Sequence, residues 1–230
     1  MNDPSGNRSK KGVDPIHRRA RLVLLLDSSR RAGIDPVPTL RLHFIAYLAN
    51  VLSPVWDMPE APSPPLREDG SVLKQSNGPF YPDLQADLDR LVGMGVALVH
   101  NLRHAALENG RYRLEGDYSI NVDLATPILE RLQSLPNEAE PVRHVRELVL
   151  ALSSLSDQEI DRAASQDATY GDPNVGVDTV IDFGEWESTN FSAAAAKRAG
   201  QFIQSGTYVG PSENIHLYIR HLRRRLQGER

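Results

Sequence analysis

The sequence predicts a mainly helical α+β fold, and three observations carry that expectation. First, Leu84, Leu88, Leu91 and Val92 fall on one face of a helix, with Asp83, Gln85, Asp87, Asp89 and Arg90 mostly on the other. Second, Gly93 and Gly95 stop that helix, and the apolar run Val96–Val99 leads to a polar tip at Glu108-Asn109-Gly110. Asn109-Gly110 is a hairpin turn signal because both residues tolerate positive φ, and the alternating Tyr112, Leu114, Tyr118, Ile120 supplies the return strand. Third, most of the remaining chain carries apolar stripes at helical spacing. A helix, a glycine break and a two-stranded ribbon form the layout of a winged helix.

Taken in order, residues 1–14 are polar, short and without periodicity, and read as a disordered arm. Ile16–Ala32 predicts a helix with Ala20, Val23, Leu24 and Leu26 inward, ended by Gly33. The Asp35-Pro36-Val37-Pro38 turn leads to Thr39, placed as the N-cap of a second helix over Leu40–Leu52. That helix is apolar on most sides and belongs in the core. Residues 54–70 form a proline-rich loop, with Trp56 and Met58 more apolar than a spacer needs. Val72-Leu73-Lys74 is placed as the small third strand of the winged-helix sheet. The Gly78-Pro79 turn follows, and Pro82 sits where the first turn of a helix accepts proline.

After the ribbon, Leu124–Leu132 predicts a helix, and Pro136–Pro141 marks a boundary between a winged-helix domain over 15–136 and a helical domain over 137–230. In the second domain Val142–Leu155 is amphipathic, and Ser156 with Glu159 has capping-box spacing at the head of a helix running toward Gln166. A short strand is expected over Thr179–Phe183, and an alanine-rich helix over Ser192–Ser205. Ser212 is placed as the cap of a last helix with Ile215, Tyr218, Ile219, Leu222 and Leu226 on one stripe.

Composition narrows the function. The chain has 230 residues and no cysteine, which excludes disulfides, thiolate catalysis and cysteine-ligated metals. No apolar run approaches the roughly 20 residues of a membrane span, and the polar, basic N-terminus has no secretory core. A cytoplasmic protein is the expectation. Charge is uneven: Arg8–Arg31 holds eight Arg/Lys against two Asp, Asp157–Glu187 holds nine acids against Arg162 alone, and the tail from Arg220 holds five Arg against one Glu. Two readings stand side by side, contacts with nucleic acid and a basic partner, or solvated surface.

No stretch assembles a catalytic site. His100 and His104 are four apart, a metal-binding spacing on a helix, but they fall in a strand and no carboxylate motif follows. Asp178, Asp182, Glu185 and Glu187 surround a short strand, as magnesium nucleases arrange acids, yet no lysine follows until Lys197. Solvated acids or an acidic contact surface is the stronger reading, with a magnesium nuclease a distant third. Neither GxxxxGK[ST] nor GxSxG occurs, and Gly93-Met94-Gly95 precedes a strand where a dinucleotide fingerprint precedes a helix. No enzyme activity, metal or cofactor is expected.

What remains is binding. Arg220, Arg223, Arg224 and Arg225, with Arg18, Arg19 and Arg21 of the first helix, are candidates for non-specific contact with a DNA backbone. The would-be recognition helix carries Asp83, Asp87 and Asp89, which phosphates repel, so the winged helix reads as an assembly module. Trp56, Trp186, Asp182 and Glu185 complete the candidate partner contacts, with a core position an equal reading for either tryptophan. The alternative is a winged-helix transcription regulator that uses Arg111, Arg113 and the terminal arginines on DNA.

The stretch GPFYPDLQADLDRLVGMGVAL from Gly78, with SSLSDQEIDRAASQDATYGD and ENIHLYIRHLRRRL near the end, resembles the small winged-helix subunits of bacterial antiphage and antiplasmid operons. The family is the middle component of three-component ABC-ATPase systems, to which the small subunit of Lamassu defence belongs, and the resemblance spans Leu40–Leu226. It implies a non-enzymatic adaptor between an SMC-like ABC ATPase and an effector nuclease, with no active-site residues. Similar glycine-proline-helix stretches occur in antitoxins of the Panacea type.

Overall fold

A computed structural model describes residues 15–56, 71–76, 78–106, 112–173, 176–182, 190–201 and 209–228. These residues form a mainly helical α+β structure with two small antiparallel sheets. The first helix, α1, runs Pro15–Arg31 and opens on proline, whose fixed φ and missing N–H suit a first turn. From Arg21 to Ser29 it is buried on every side, because β5, α3, α4 and α5 pack around it. Strand β1 is Val37–Pro38, and α2 follows at once over Thr39–Val51. All of α2 except Leu40 is buried, as its unbroken apolar sequence predicts.

The chain then forms a second small sheet before returning to the first. Strands β2 (Ser71–Gln75) and β3 (Gly78–Phe80) pair as a hairpin, and β6 (Val180–Asp182) adds to the other side of β2. Val72–Lys74 therefore belongs to a different sheet from the long hairpin, a correction to the expectation. The third strand of the hairpin sheet is Val37–Pro38, which the sequence presents as a turn. Two residues are too few to show alternation, so only the pairing of Val37 with Tyr118 and Pro38 with Asp117 reveals them.

Thr39 is corrected with them. Pro38 is the N-cap residue of α2 and no side chain caps that end. The Thr39 hydroxyl instead donates to the Gly116 carbonyl at 2.9 Å and accepts the Gly116 N–H at 3.1 Å. It pins α2 to β5.

Helix α3 (Pro82–Gly93) ends on Gly95 at φ +72°, where a side chain would be strained. Strands β4 (Ala97–Ala106) and β5 (Tyr112–Ile120) form the expected hairpin, with a register shift between His100 and Arg103. The sheet order is β1-β5-β4, which leaves β4 at an edge. Helix α4 (Val122–Gln133) follows.

At Pro136–Glu138 the chain makes one 3₁₀ turn and enters α5 (Ala139–Leu152). Helix α6 (Asp157–Ala163) carries the expected capping box: the Ser156 hydroxyl accepts from Glu159 N–H, and the Glu159 carboxylate accepts from Ser156 N–H. Helices α7 (Phe191–Gln201) and α8 (Pro211–Leu226) complete the chain. Ser212 lies inside the first turn of α8, and Gly210 is the N-cap residue with no side-chain bond.

Residues on both sides of Pro136–Pro141 share one continuous apolar cluster, from Leu22–Leu26 and α2 to Val145, Leu148, Leu152, Ile219 and Leu222. Among the polar links that cross the same line, three join α1 or α2 side chains to acids beyond Pro136. Arg21 holds Glu138 bidentately at 2.6 and 3.1 Å, Arg41 holds Asp157 at 2.7 Å and Asp161 at 3.0 Å, and the Tyr47 hydroxyl donates to Asp167 at 2.8 Å. The apolar cluster and these links span the expected boundary. No helix among the described residues is long and apolar enough to cross a membrane.

Candidate functional site

Several residues expected at the surface are interior. Arg18 is buried and ion-pairs with Asp87, itself 1 % exposed, and reaches Asp83 at 3.5 Å. Asp87 lies three residues after Leu84 and four before Leu91, so helical geometry includes it in the inward stripe. Its charge is tolerable there because a guanidinium meets it. Arg21 is buried on Glu138. Arg18 and Arg21 are corrected from DNA-backbone contacts to core ion pairs, and Asp87 from a partner contact to their counter-charge. Arg19 is half-buried, and Asp89 is exposed and accepts from Gln85 at 2.9 Å.

Of the two readings for Trp56, the core one holds. The residue closes a 3₁₀ turn at Ser53–Trp56 and is buried, edge-on to His144 with ring centroids 6.0 Å apart. The Arg143 guanidinium sits 5.3 Å from the centre of its ring. Residues 57–70 of the proline-rich loop, Arg111, Glu185 and Trp186 lie outside the described residues. Arg113 is on β5 and Asp182 on β6.

A polar centre that no local pattern announces organises the last third of the chain. Asp167 is 1 % exposed. One carboxylate oxygen accepts from Tyr47 at 2.8 Å and from the N–H groups of Thr169 and Tyr170, and the other from Tyr218 at 2.7 Å and Ser192 at 2.8 Å. Five donors satisfy one buried charge. Burial, and then the Asp167 charge, push both the Tyr47 and Tyr218 hydroxyls well above the ordinary tyrosine value, so both stay protonated donors. The network ties α2 to α7 and α8. Read along the chain, Asp167 is one acid in a run of nine, and only its position before Thr169 and Tyr170 marks a side chain that bonds its own turn.

That pin sets the geometry of an open groove of about 800 Å³ between α7 and α8. Ala194, Ala195, Leu217 and Phe191 supply its apolar lining, with Ala194 and Phe191 exposed. Arg198 of α7 and Arg220, His221 and Arg224 of α8 also line it. The terminal arginine cluster is thereby divided. Arg223 turns to Glu159 at 3.3 Å and Arg225 donates to the Gln166 carbonyl at 3.0 Å, whereas among the described residues no carboxylate pairs with Arg198, Arg220 or Arg224. Burial, and then the charges of Arg225 and Arg224, hold the His221 imidazole below its ordinary value.

A second uncovered surface lies on the hairpin. Leu98 is 42 % exposed and Leu102 56 %, and Met94 and Leu124 are exposed on either side of Gly95. Charge there is balanced: Arg103 lies 3.5 Å from Glu115 and 3.7 Å from Asp117. The hairpin packs on α3 and α1, while α8 packs on α5, α6 and α7, so the two surfaces sit on separate elements.

Among the described residues no group of three His, Cys, Asp or Glu could hold a metal ion. No protein-family model, curated protein or solved structure matches this chain.

Proposed function

We propose that this chain is a non-catalytic adaptor, a winged-helix subunit that joins an SMC-like ABC ATPase to an effector nuclease in an antiphage or antiplasmid defence complex. The order α1, β1, α2, α3, β4, β5, with β1 and β4 flanking β5, supports the winged-helix reading. The observation that carries the assembly role is the chemistry of the parts a DNA-reading winged helix would use. Helix α3 exposes Asp89 beside Arg90 and half-exposes Asp83, which Arg18 reaches, and the hairpin offers Leu98 and Leu102 beside a neutralised Arg103. Phosphate contact needs unpaired cations, and apolar surface of this kind is buried by protein. A bridging subunit also needs two separate contact surfaces, and the hairpin and the α7–α8 groove are two. The resemblance in the sequence names the partners.

The test is a tagged pull-down from native cells that express the neighbouring genes. A coiled-coil ATPase at stoichiometric level is expected, weakened about tenfold or more by Leu98→Asp with Leu102→Asp. Recovery of the chain alone, as a dimer that shifts one DNA fragment, would replace this reading with that of a transcription regulator.

A further inference from the structure

We propose that the α7–α8 groove docks an amphipathic helix of a protein partner, one whose apolar stripe is flanked by Asp and Glu. This deepens the adaptor reading, on which it rests for a protein partner, by assigning that partner's chemistry. Charge complementarity selects the occupant. Arg198, Arg220 and Arg224 line the groove with no carboxylate paired to them among the described residues. Arg220 and Arg224 are one helical turn apart on α8, and Arg198 is on α7.

The apolar lining decides between a peptide and a nucleic acid. Ala194, Ala195 and Leu217 offer apolar area, and the small residues let another helix approach closely. A phosphate backbone on the same arginines would leave that apolar area in water. An amphipathic helix satisfies both at once, with its apolar stripe on these residues and its acids on the arginines. The eleven residues of α7 span about 16 Å, room for about three turns of a bound helix. Asp167 keeps the site preformed through its bonds to Ser192 at the head of α7 and Tyr218 in α8.

The experiment is a selection of helix-forming peptides from a randomised library against the immobilised full-length chain, with affinities of the enriched sequences measured by fluorescence anisotropy. Enriched peptides are expected to repeat apolar residues at three- and four-residue spacing and to carry net negative charge. Arg220→Glu with Arg224→Glu should weaken them about tenfold or more. Ala194→Trp, which adds bulk to the apolar lining without altering charge, should weaken them as well, and Arg90→Glu on α3 should leave them unchanged. Circular dichroism of each variant establishes that it folds.

Failure to enrich any peptide overturns the proposal, as do neutral or basic winners and affinities that ignore either groove variant. Binding that follows charge but tolerates Ala194→Trp overturns it too, and so does a mixed-sequence DNA duplex that competes more strongly than the peptides. Because the selection uses this chain alone, its outcome is independent of whether the ATPase is recovered in the pull-down.

Discussion

Arg21 and Glu138 show what a single buried charge does here. Each is nearly inaccessible, so removing one leaves the other desolvated and unpaired. Arg21→Ala should destabilise the fold by about 3–5 kcal/mol, measured by urea unfolding, whereas replacing both residues with apolar ones of similar volume should restore much of that loss. His144 gives the pH dependence. It is fully buried, its Nε2–H donates to the Ala49 carbonyl at 2.8 Å, and burial lowers its pKa to about 4. The unfolded chain takes up this proton near pH 6.5 and the folded chain only near 4. Stability from the neutral imidazole is therefore complete above about pH 6.5 and is lost as pH falls toward 4, on the order of 3 kcal/mol in all. His144→Gln, which keeps a donor for Ala49, should flatten that part of the stability curve. An unchanged acid limb would show that another group sets it.

Elements are held by contacts of differing reach. The capping box at Ser156 is local and legible from spacing alone, and Ser156→Ala should cost about 1 kcal/mol, visible as a lowered melting temperature. Gly171 is the opposite case. A Cβ there would lie 2.7 Å from the Asp167 carbonyl oxygen and 2.9 Å from that of Ser165, both backbone atoms that no rotamer change can move. Gly171→Ala should therefore displace the turn that presents Asp167 and destabilise the protein by more than Ser156→Ala does, in the same melting experiment. Nothing in the residues around Gly171 announces this, since the close approach is made by a turn folding back on itself.

At the scale of the whole molecule, one core, several polar links and the β2–β6 pairing join the two halves expected from the sequence. Unfolding should thus be a single cooperative transition, with tryptophan fluorescence and circular dichroism giving one urea midpoint. Two separated midpoints would restore a boundary near Pro136. The surface follows from the same packing. Arg18 and Arg21 are drawn into the core, which removes two of the three first-helix arginines expected for DNA, and the terminal arginines divide between contacts to Glu159 and Gln166 and the α7–α8 groove. Net charge and its distribution along the chain predicted neither outcome.

Helical periodicity, proline at first turns, the glycine break and the capping box are local properties, and they placed the helices and the long hairpin within a few residues of where they lie. Local chemistry also determined that α2 is core. Tertiary structure alone decided that Val37–Pro38 completes the hairpin sheet, that Asp87 faces inward to meet Arg18, that Trp56 is interior, and that Asp167 gathers Tyr47, Ser192 and Tyr218 around one charge. Each of those depends on a partner between 25 and 120 positions away along the chain. A pattern read within a few turns of helix records which face of an element is apolar, and carries no record of which distant group will neutralise a charge placed on it.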